Sequence, residues 1–299
     1  MKTKLLVEQH FHGCYGIDFN KASVDEVCAV AEKIKTEGIG GIFPTLVTDS
    51  VENIKRQINV IKKASEKKVN GAKILGIHLE GIFLNPEKKG IHNSKHFLPL
   101  TADNFKQIEN DFIKIVTLAP ELNIDLIEYL NKKRIKIQAG HCTAGELNTC
   151  SGTTHTFNAM SPISHRGKST TLSALVNDNL YSEIIADGVH VCDEALELFF
   201  KSKPENKVIL ISDCLPCTHS EIKEFTFADE KIYFDGEKAT SKEGTLAGST
   251  KLLPDIIKIL AQKNMFKEQF IINPHNYHNI DLNGSIEWDE NYNIIKIFN

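Results

Sequence analysis

The sequence predicts an α/β protein of the (β/α)8 barrel type, and three observations carry that expectation. Short β-branched runs alternate with amphipathic stretches about eight times along the 299 residues. Several of the runs are nearly all apolar at first, the pattern of strands covered on both faces in a parallel sheet. Eight β-then-α units in about 260 residues match the length and order of such a barrel, with a doubly wound open sheet as the competing architecture.

Taken in order, strands are expected at 4–12, 40–47, 73–80, 113–119, 135–141, 152–157, 181–187 and 207–213. Helices fill the gaps. Ser23-Val-Asp-Glu26 reads as a capping box for a helix that Gly38 ends. Asp49 is placed to cap a second helix running to about Lys68, with Ile54, Ile58 and Ile61 on one face. Pro120 and Glu121 open a third, with Leu122, Leu126 and Leu130 one turn apart, and 168–178, 192–203 and 249–263 supply three more. Three stretches exceed a minimal barrel. They are the polar loop 81–100, the segment 214–248 with FTFADEKIYFDG as a β-hairpin, and 264–299, whose end alternates like a second hairpin turning at Glu290–Asn293. Insertions after barrel strands fall on the C-terminal face, where active sites are built.

Composition narrows the function. Lys and Arg number 35 against 39 Asp and Glu, a formal net charge of -4, so no basic patch or charge excess favours nucleic acid or an anionic membrane as partner. A hydrophobic fraction of 41% is that of a chain with a core rather than a disordered one. No apolar run reaches the ~20 residues that cross a bilayer. Seven scattered Cys and a start that does not read as a signal peptide lead us to expect a reducing cytoplasm. Cys214 and Cys217 read as two unlinked loop thiols rather than a redox pair or half a zinc site.

The informative residues are histidines and acids at strand ends. His10 and His12 end the first expected strand, Glu80 the third, His141 the fifth and Asp213 the eighth, while His155 lies in the sixth. Strand ends of a closed barrel converge on one mouth, so these six become neighbours. Four imidazoles and two carboxylates suit zinc or a similar divalent ion. His10 and His12, two apart on a strand, point the same way. Singly, each would read as a structural His or a helix-capping acid; their shared position is what points to a metal. His190, after Ala186-Asp187-Gly188, and His92, in the loop after the third strand, are candidate substrate contacts. His78 reads equally as interior or as active-site, and His96, His165, His219, His275 and His278 are expected on the surface or in loops.

With these residues assembled, the sequence resembles the amidohydrolase superfamily and, within it, the N-acetylglucosamine-6-phosphate deacetylases. The blocks are HFHGCYGIDFN at 10–20, GIHLEG at 76–81, KKGIHN at 88–93, AGHCTA at 139–144, THTFNAMSPISHR at 154–166, IADGVHV at 185–191, ISD at 211–213 and LAGST at 246–250. The resemblance implies a metal-dependent hydrolase barrel over 1–275. It implies that 276–299 is a hairpin remnant of a small β domain whose N-terminal part, about 50 residues, is missing here. It implies Glu80, His141 and His155 as ligands of a principal metal, His10 and His12 as a pair that permits a second, and Asp213 as catalytic acid and base. His92, Asn158, Ala159, Arg166 and His190 would contact a sugar phosphate. Zinc is the expected ion, one or two per chain, with iron, manganese or cobalt as alternatives. A homodimer is also implied, with some phosphate contacts from the neighbouring subunit. The sequence departs from the family pattern at Ile82, at His165-Arg166-Gly167-Lys168-Ser169 and at Cys214.

The expected chemistry is deacetylation of N-acetylglucosamine 6-phosphate, with the galactosamine epimer or an N-acyl amino acid as alternative substrates. A non-catalytic sugar-phosphate-binding protein is the alternative outside enzymes.

Overall fold

The computed structural model describes residues 1–298. After a short first strand β1 (Lys2–Lys4), eight strands follow one another in chain order within a nine-stranded parallel sheet: β2 (Leu6–Phe11), β3 (Ile39–Val47), β4 (Ile77–Glu80), β5 (Ile113–Leu118), β6 (Lys136–Ala139), β7 (Gly152–Thr153), β8 (Tyr181–Ile184) and β9 (Val208–Leu210), the ninth being the two-residue stretch Lys73–Ile74 that pairs beside β3. Sequential parallel neighbours joined through helices are the arrangement of the predicted barrel. The seam between β2 and β9 is bridged just past the strands, where Asp213 N donates to His10 O at 2.9 Å and His12 N donates to Cys214 O at 2.8 Å. The buried Glu8 carboxyl group reinforces the seam, accepting from His10 N and Ser212 N at 3.1 Å each.

The helices are α1 (Val24–Lys35), α2 (Val51–Ser65), α3 (Ala102–Lys106), α4 (Asp125–Lys132), α5 (Thr170–Val176), α6 (Asp193–Ser202), α7 (Leu253–Gln262) and α8 (Gln269–His278). The capping box at Ser23 and Glu26 is formed as expected. Two starts differ from expectation. Ser50, not Asp49, caps α2 through Asn53 N, because the Asp49 carboxylate is engaged by the Asn53 side-chain amide. The third expected helix begins at Asp125 rather than Pro120, because Glu121 is held across the chain by Thr143 N at 2.6 Å and Asn85 Nδ2 at 2.8 Å. Leu122 is consequently exposed while Leu126 and Leu130 are buried.

The predicted hairpin after β9 is present and is half of a larger insert. Strands β10 (Glu224–Phe227), β11 (Glu230–Phe234), β12 (Ala239–Ser241) and β13 (Leu246–Gly248) make a four-stranded antiparallel sheet. Its Phe227 ring stands 5.0 Å from the His12 ring, which brings the insert over the mouth. The C-terminal hairpin is also present, as β14 (Ser285–Trp288) and β15 (Ile294–Phe298). Its partner is β1, so the expected strand 4–12 is two elements belonging to two sheets. Trp288 is buried there, its Nε1 donating to Thr3 Oγ1 at 2.8 Å.

The expected boundary at 275/276 falls inside α8, an element with no counterpart in the sequence reading. This helix packs on β2 and β9 at the seam. His275 is buried with its Nε2 2.8 Å from Leu5 O, and His278 Nε2 sits 2.8 Å from Gln9 Oε1. Both were expected at the surface or in loops. A helix closing the barrel seam places them inside instead.

Candidate metal centre and the cavity around it

The C-terminal ends of the strands turn sharply inward. His141, His155 and Asp213 lie two or three residues past β6, β7 and β9, and all three have positive φ, at 49°, 30° and 53°. Left-handed backbone is costly for such side chains and is retained where surrounding structure demands it, commonly at functional sites. His155 is therefore in a turn after a two-residue strand, not within the sixth strand as expected. Glu80 ends β4 and is followed by Gly81 at φ 139°, where a Cβ would come within 2.1 Å of Thr48 Oγ1. Only glycine fits that close approach.

These turns bring together all six side chains expected to converge. One group comprises His10, His12, Glu80 and Asp213, and a second comprises Glu80, His141 and His155. Glu80 belongs to both, and its two oxygens divide the work. Oε2 lies 3.0 Å from His12 Nε2 and 3.4 Å from His10 Nε2, while Oε1 lies 3.0 Å from His155 Nε2 and 3.3 Å from His141 Nε2. Asp213 Oδ1 is 3.2 Å from His12 Nε2 and 3.3 Å from His10 Nε2. His10 Nε2 is buried and makes no hydrogen bond, so it presents a bare donor atom to this cluster. Imidazole and carboxylate donors in this arrangement fit one or two borderline-soft divalent ions.

Burial disfavours charge on His10 and His12, but Glu80 and Asp213 outweigh it and raise both imidazoles above their usual range. Burial likewise works against the carboxylate forms, and His10 with its neighbours overcomes it, so Glu80 is held well below the ordinary range and Asp213 below its own. A metal would displace those imidazole protons.

A cavity of about 480 Å3 opens over the cluster. His92 and His190 both line it, with Asn158 and Ala159. His92 Nδ1 is 2.8 Å from Thr48 Oγ1, and burial followed by the neighbouring His141 holds its imidazole neutral. His190 is gripped by Asp187, with Nδ1 2.9 Å from Oδ2 and its backbone N donating to Oδ1 at 2.9 Å. Burial opposes charge on His190, but Asp187 raises it. The loop 81–100 folds in over the mouth, so that Lys88 O lies 2.8 Å from His141 Nδ1 and orients that ring.

Arg166 is not brought to the cavity. It is exposed, with its Nε 3.0 Å from His165 Nε2, because the 162–168 stretch loops out before α5. The lining includes one Lys or Arg, Lys88, for which the sequence reading assigned no role. Phe227 and residues 244–248 of the insert also line it. The folded insert thus brings Leu246, Ala247 and Gly248 of the LAGST block to the cavity. His78 is settled as an interior residue: it is buried, with Nε2 2.7 Å from Thr117 Oγ1 and Nδ1 3.0 Å from Gln9 O. Glu183 was missed altogether. It lies mid-strand in β8, where an isolated acid in an apolar run carries no local signal.

Fold and donor set together define a (β/α)8 barrel with a histidine- and carboxylate-lined candidate metal centre at its C-terminal mouth. Its curated homologues include N-acetylglucosamine-6-phosphate deacetylases. No family model matches the chain. It is 33% identical over 259 residues to N-acetylglucosamine-6-phosphate deacetylase of Bacillus subtilis, covering 82% of this chain and 65% of that protein. It is 32% identical over 267 residues to the human protein of that name, covering 81% and 64%. N-acetylgalactosamine-6-phosphate deacetylase of Escherichia coli O157:H7 is 27% identical over 256 residues, covering 82% and 68%. The chain thus spans about 65% of the length of the first of these relatives. Among solved structures, N-acetylglucosamine-6-phosphate deacetylase from Thermotoga maritima superposes with a TM-score of 0.91 at 24% identity, covering 99% of this chain and 86% of that one. A variant of the Mycobacterium smegmatis enzyme in complex with N-acetyl-D-glucosamine-6-phosphate gives 0.90 at 20%, covering 99% and 85%. These two likenesses establish the fold.

Proposed function

We propose that this chain is a metal-dependent deacetylase that hydrolyses N-acetylglucosamine 6-phosphate to glucosamine 6-phosphate and acetate. The observation that carries the reading is Glu80 shared between two histidine groups, with Asp213 beside it under a sugar-sized cavity. The names of the curated homologues supply the substrate.

Glu80, His141 and His155 would hold the principal ion, and His10 and His12 with Glu80 a second, zinc being the ion this donor set suits best. A divalent ion there polarises an amide carbonyl and acidifies water toward neutral pH. Asp213 is the carboxylate placed to take the proton from the attacking water and to return it to the departing amine. His190, oriented by Asp187, faces the same cavity and is placed to donate to the oxygen that gains charge. His92, Asn158 and Ala159 would shape the sugar pocket, and Lys88 would meet the phosphate within one subunit in place of Arg166.

The same reading makes the chain through α8 the catalytic barrel, and β14 with β15 a small β appendage tied to it through β1. It also makes the protein a cytoplasmic homodimer; all seven cysteines are unpaired, which a reducing compartment maintains. The similarity to the galactosamine-type deacetylase makes that epimer the second substrate to assay. Acetate release from N-acetylglucosamine 6-phosphate by zinc-loaded protein, with chelated protein as control, tests the proposal. Binding of the sugar phosphate without acetate release would leave a binding protein in its place.

A further inference from the structure

Below the candidate metal centre, one acid is used by no step above. Glu183 is 1% exposed and projects from β8 into the barrel interior. Its Oε2 lies 3.1 Å from His10 Nδ1 and accepts the backbone N–H of His155 at 3.3 Å. Its Oε1 accepts Gln9 Nε2 at 2.5 Å, and Gln9 in turn meets His278 Nε2 from α8. One carboxylate oxygen therefore touches a residue from each of the two histidine groups. A carboxylate can only accept at His10 Nδ1, so it requires the proton on that nitrogen whenever the ring is neutral. The other ring nitrogen, Nε2, is then left bare and aimed at Glu80 and Asp213, the state a ligand needs. The contact to His155 N also braces a backbone held at φ 30°.

We propose that Glu183 is a positioning residue for the metal centre: it selects the Nδ1–H tautomer of His10 and fixes that ring, and thereby sets the affinity of the site that His10 completes. The inference rests on the metal-centre reading but not on the identity of the substrate. Its effect is expected to fall mainly on the ion held by the first-strand histidines, because the bond to His10 is the shorter one and bears on a ligating ring rather than on a backbone.

The test compares the wild type with Glu183→Gln and Glu183→Ala, using zinc, and cobalt as a spectroscopic substitute. Long-range proton–nitrogen spectra of histidine-labelled, zinc-loaded wild type should show His10 protonated at Nδ1 and coordinated at Nε2. Glu183→Gln keeps size and one oxygen, and should weaken binding of the more weakly held ion about 10- to 100-fold. Glu183→Ala should weaken it further and broaden the cobalt absorption bands. Melting of the chelated proteins separates misfolding from a loss of affinity. If the alanine variant does not fold, the glutamine variant and the wild-type tautomer still decide. Wild-type affinity in Glu183→Gln, or His10 protonated at Nε2 in the loaded wild type, overturns the role of Glu183. A wild type that binds no divalent ion instead overturns the metal-centre reading itself.

Discussion

Asp213 occupies a position that few aspartates can hold: left-handed, buried, and within 3.3 Å of two imidazoles. The proposed role is proton transfer, which an amide cannot perform although it can still fill the space. Asp213→Asn should therefore abolish acetate release, by about 10^2-fold or more, while metal content by elemental analysis stays within twofold of wild type. Retained turnover would reject the assignment. Lys88 and Arg166 make a second comparison. Lys88 lines the cavity and Arg166 lies outside it. Lys88→Ala should raise KM for the phosphorylated sugar about tenfold and spare the unphosphorylated one, whereas Arg166→Ala leaves both within about twofold. The opposite ranking in steady-state kinetics would restore Arg166 as the phosphate contact.

At the scale of elements, the sheet is held to its helices by apolar packing, but several junctions depend on a single polar side chain. Lys203, after α6, is 4% exposed, and its Nζ donates to the carbonyl oxygens of Ala174, Asn177 and Leu180 at 3.0, 2.7 and 2.9 Å. It thus closes the C-terminal end of α5 and the turn beyond it, satisfying carbonyls that the helix cannot. Lys203→Met fills the space but leaves three acceptors without a donor. It should lower stability by about 3 kcal/mol, read from urea denaturation, with little change in metal affinity. The elements themselves were largely legible. Seven of the eight strand starts and the Ser23–Glu26 cap follow from periodicity and capping chemistry, which are local. Helix α8 was not legible, because Pro274 within it and its weak apolar pattern argue against a helix until the barrel seam supplies partners for Asn273 and His275.

For the molecule as a whole, the buried titratable groups make stability depend on metal and pH together. In the metal-free protein, burial opposes charge on His10, His12 and His190, yet their carboxylate partners raise all three; burial pushes the Glu8 carboxyl up to about 8. Each of the three imidazoles adds stability that is complete below about pH 6.5 and is lost as pH rises through its raised folded value. Glu8, protonated more readily when folded, loses stability between its usual range and about 8, in the same direction. The lowered imidazoles of His78, His92 and His278 act only below about pH 6.5, so they leave that window clear. Chelated protein should therefore melt a few degrees lower, on the order of 1–2 kcal/mol, at pH 8 than at pH 6.5. Metal competes with the same protons, so zinc should bind more tightly as pH rises and the loaded protein should show the reverse trend. Scanning calorimetry of both forms at the two pH values checks this; parallel slopes would show that the imidazoles are not the metal's competitors.

The sequence by itself determined the barrel, the strand that carries each ligand, and the convergence of six histidines and acids, because strand order and strand ends follow from short-range patterning and closure then forces the ends together. It also carried the family likeness, through blocks of residues contiguous in the chain. Tertiary structure alone decided which basic residue lines the cavity, that the chain's two ends share one sheet, and that Glu183 meets His10 across 173 residues. Contacts of that kind depend on loop paths and on side chains facing one another across the barrel, and no local pattern in a chain records what will stand opposite it.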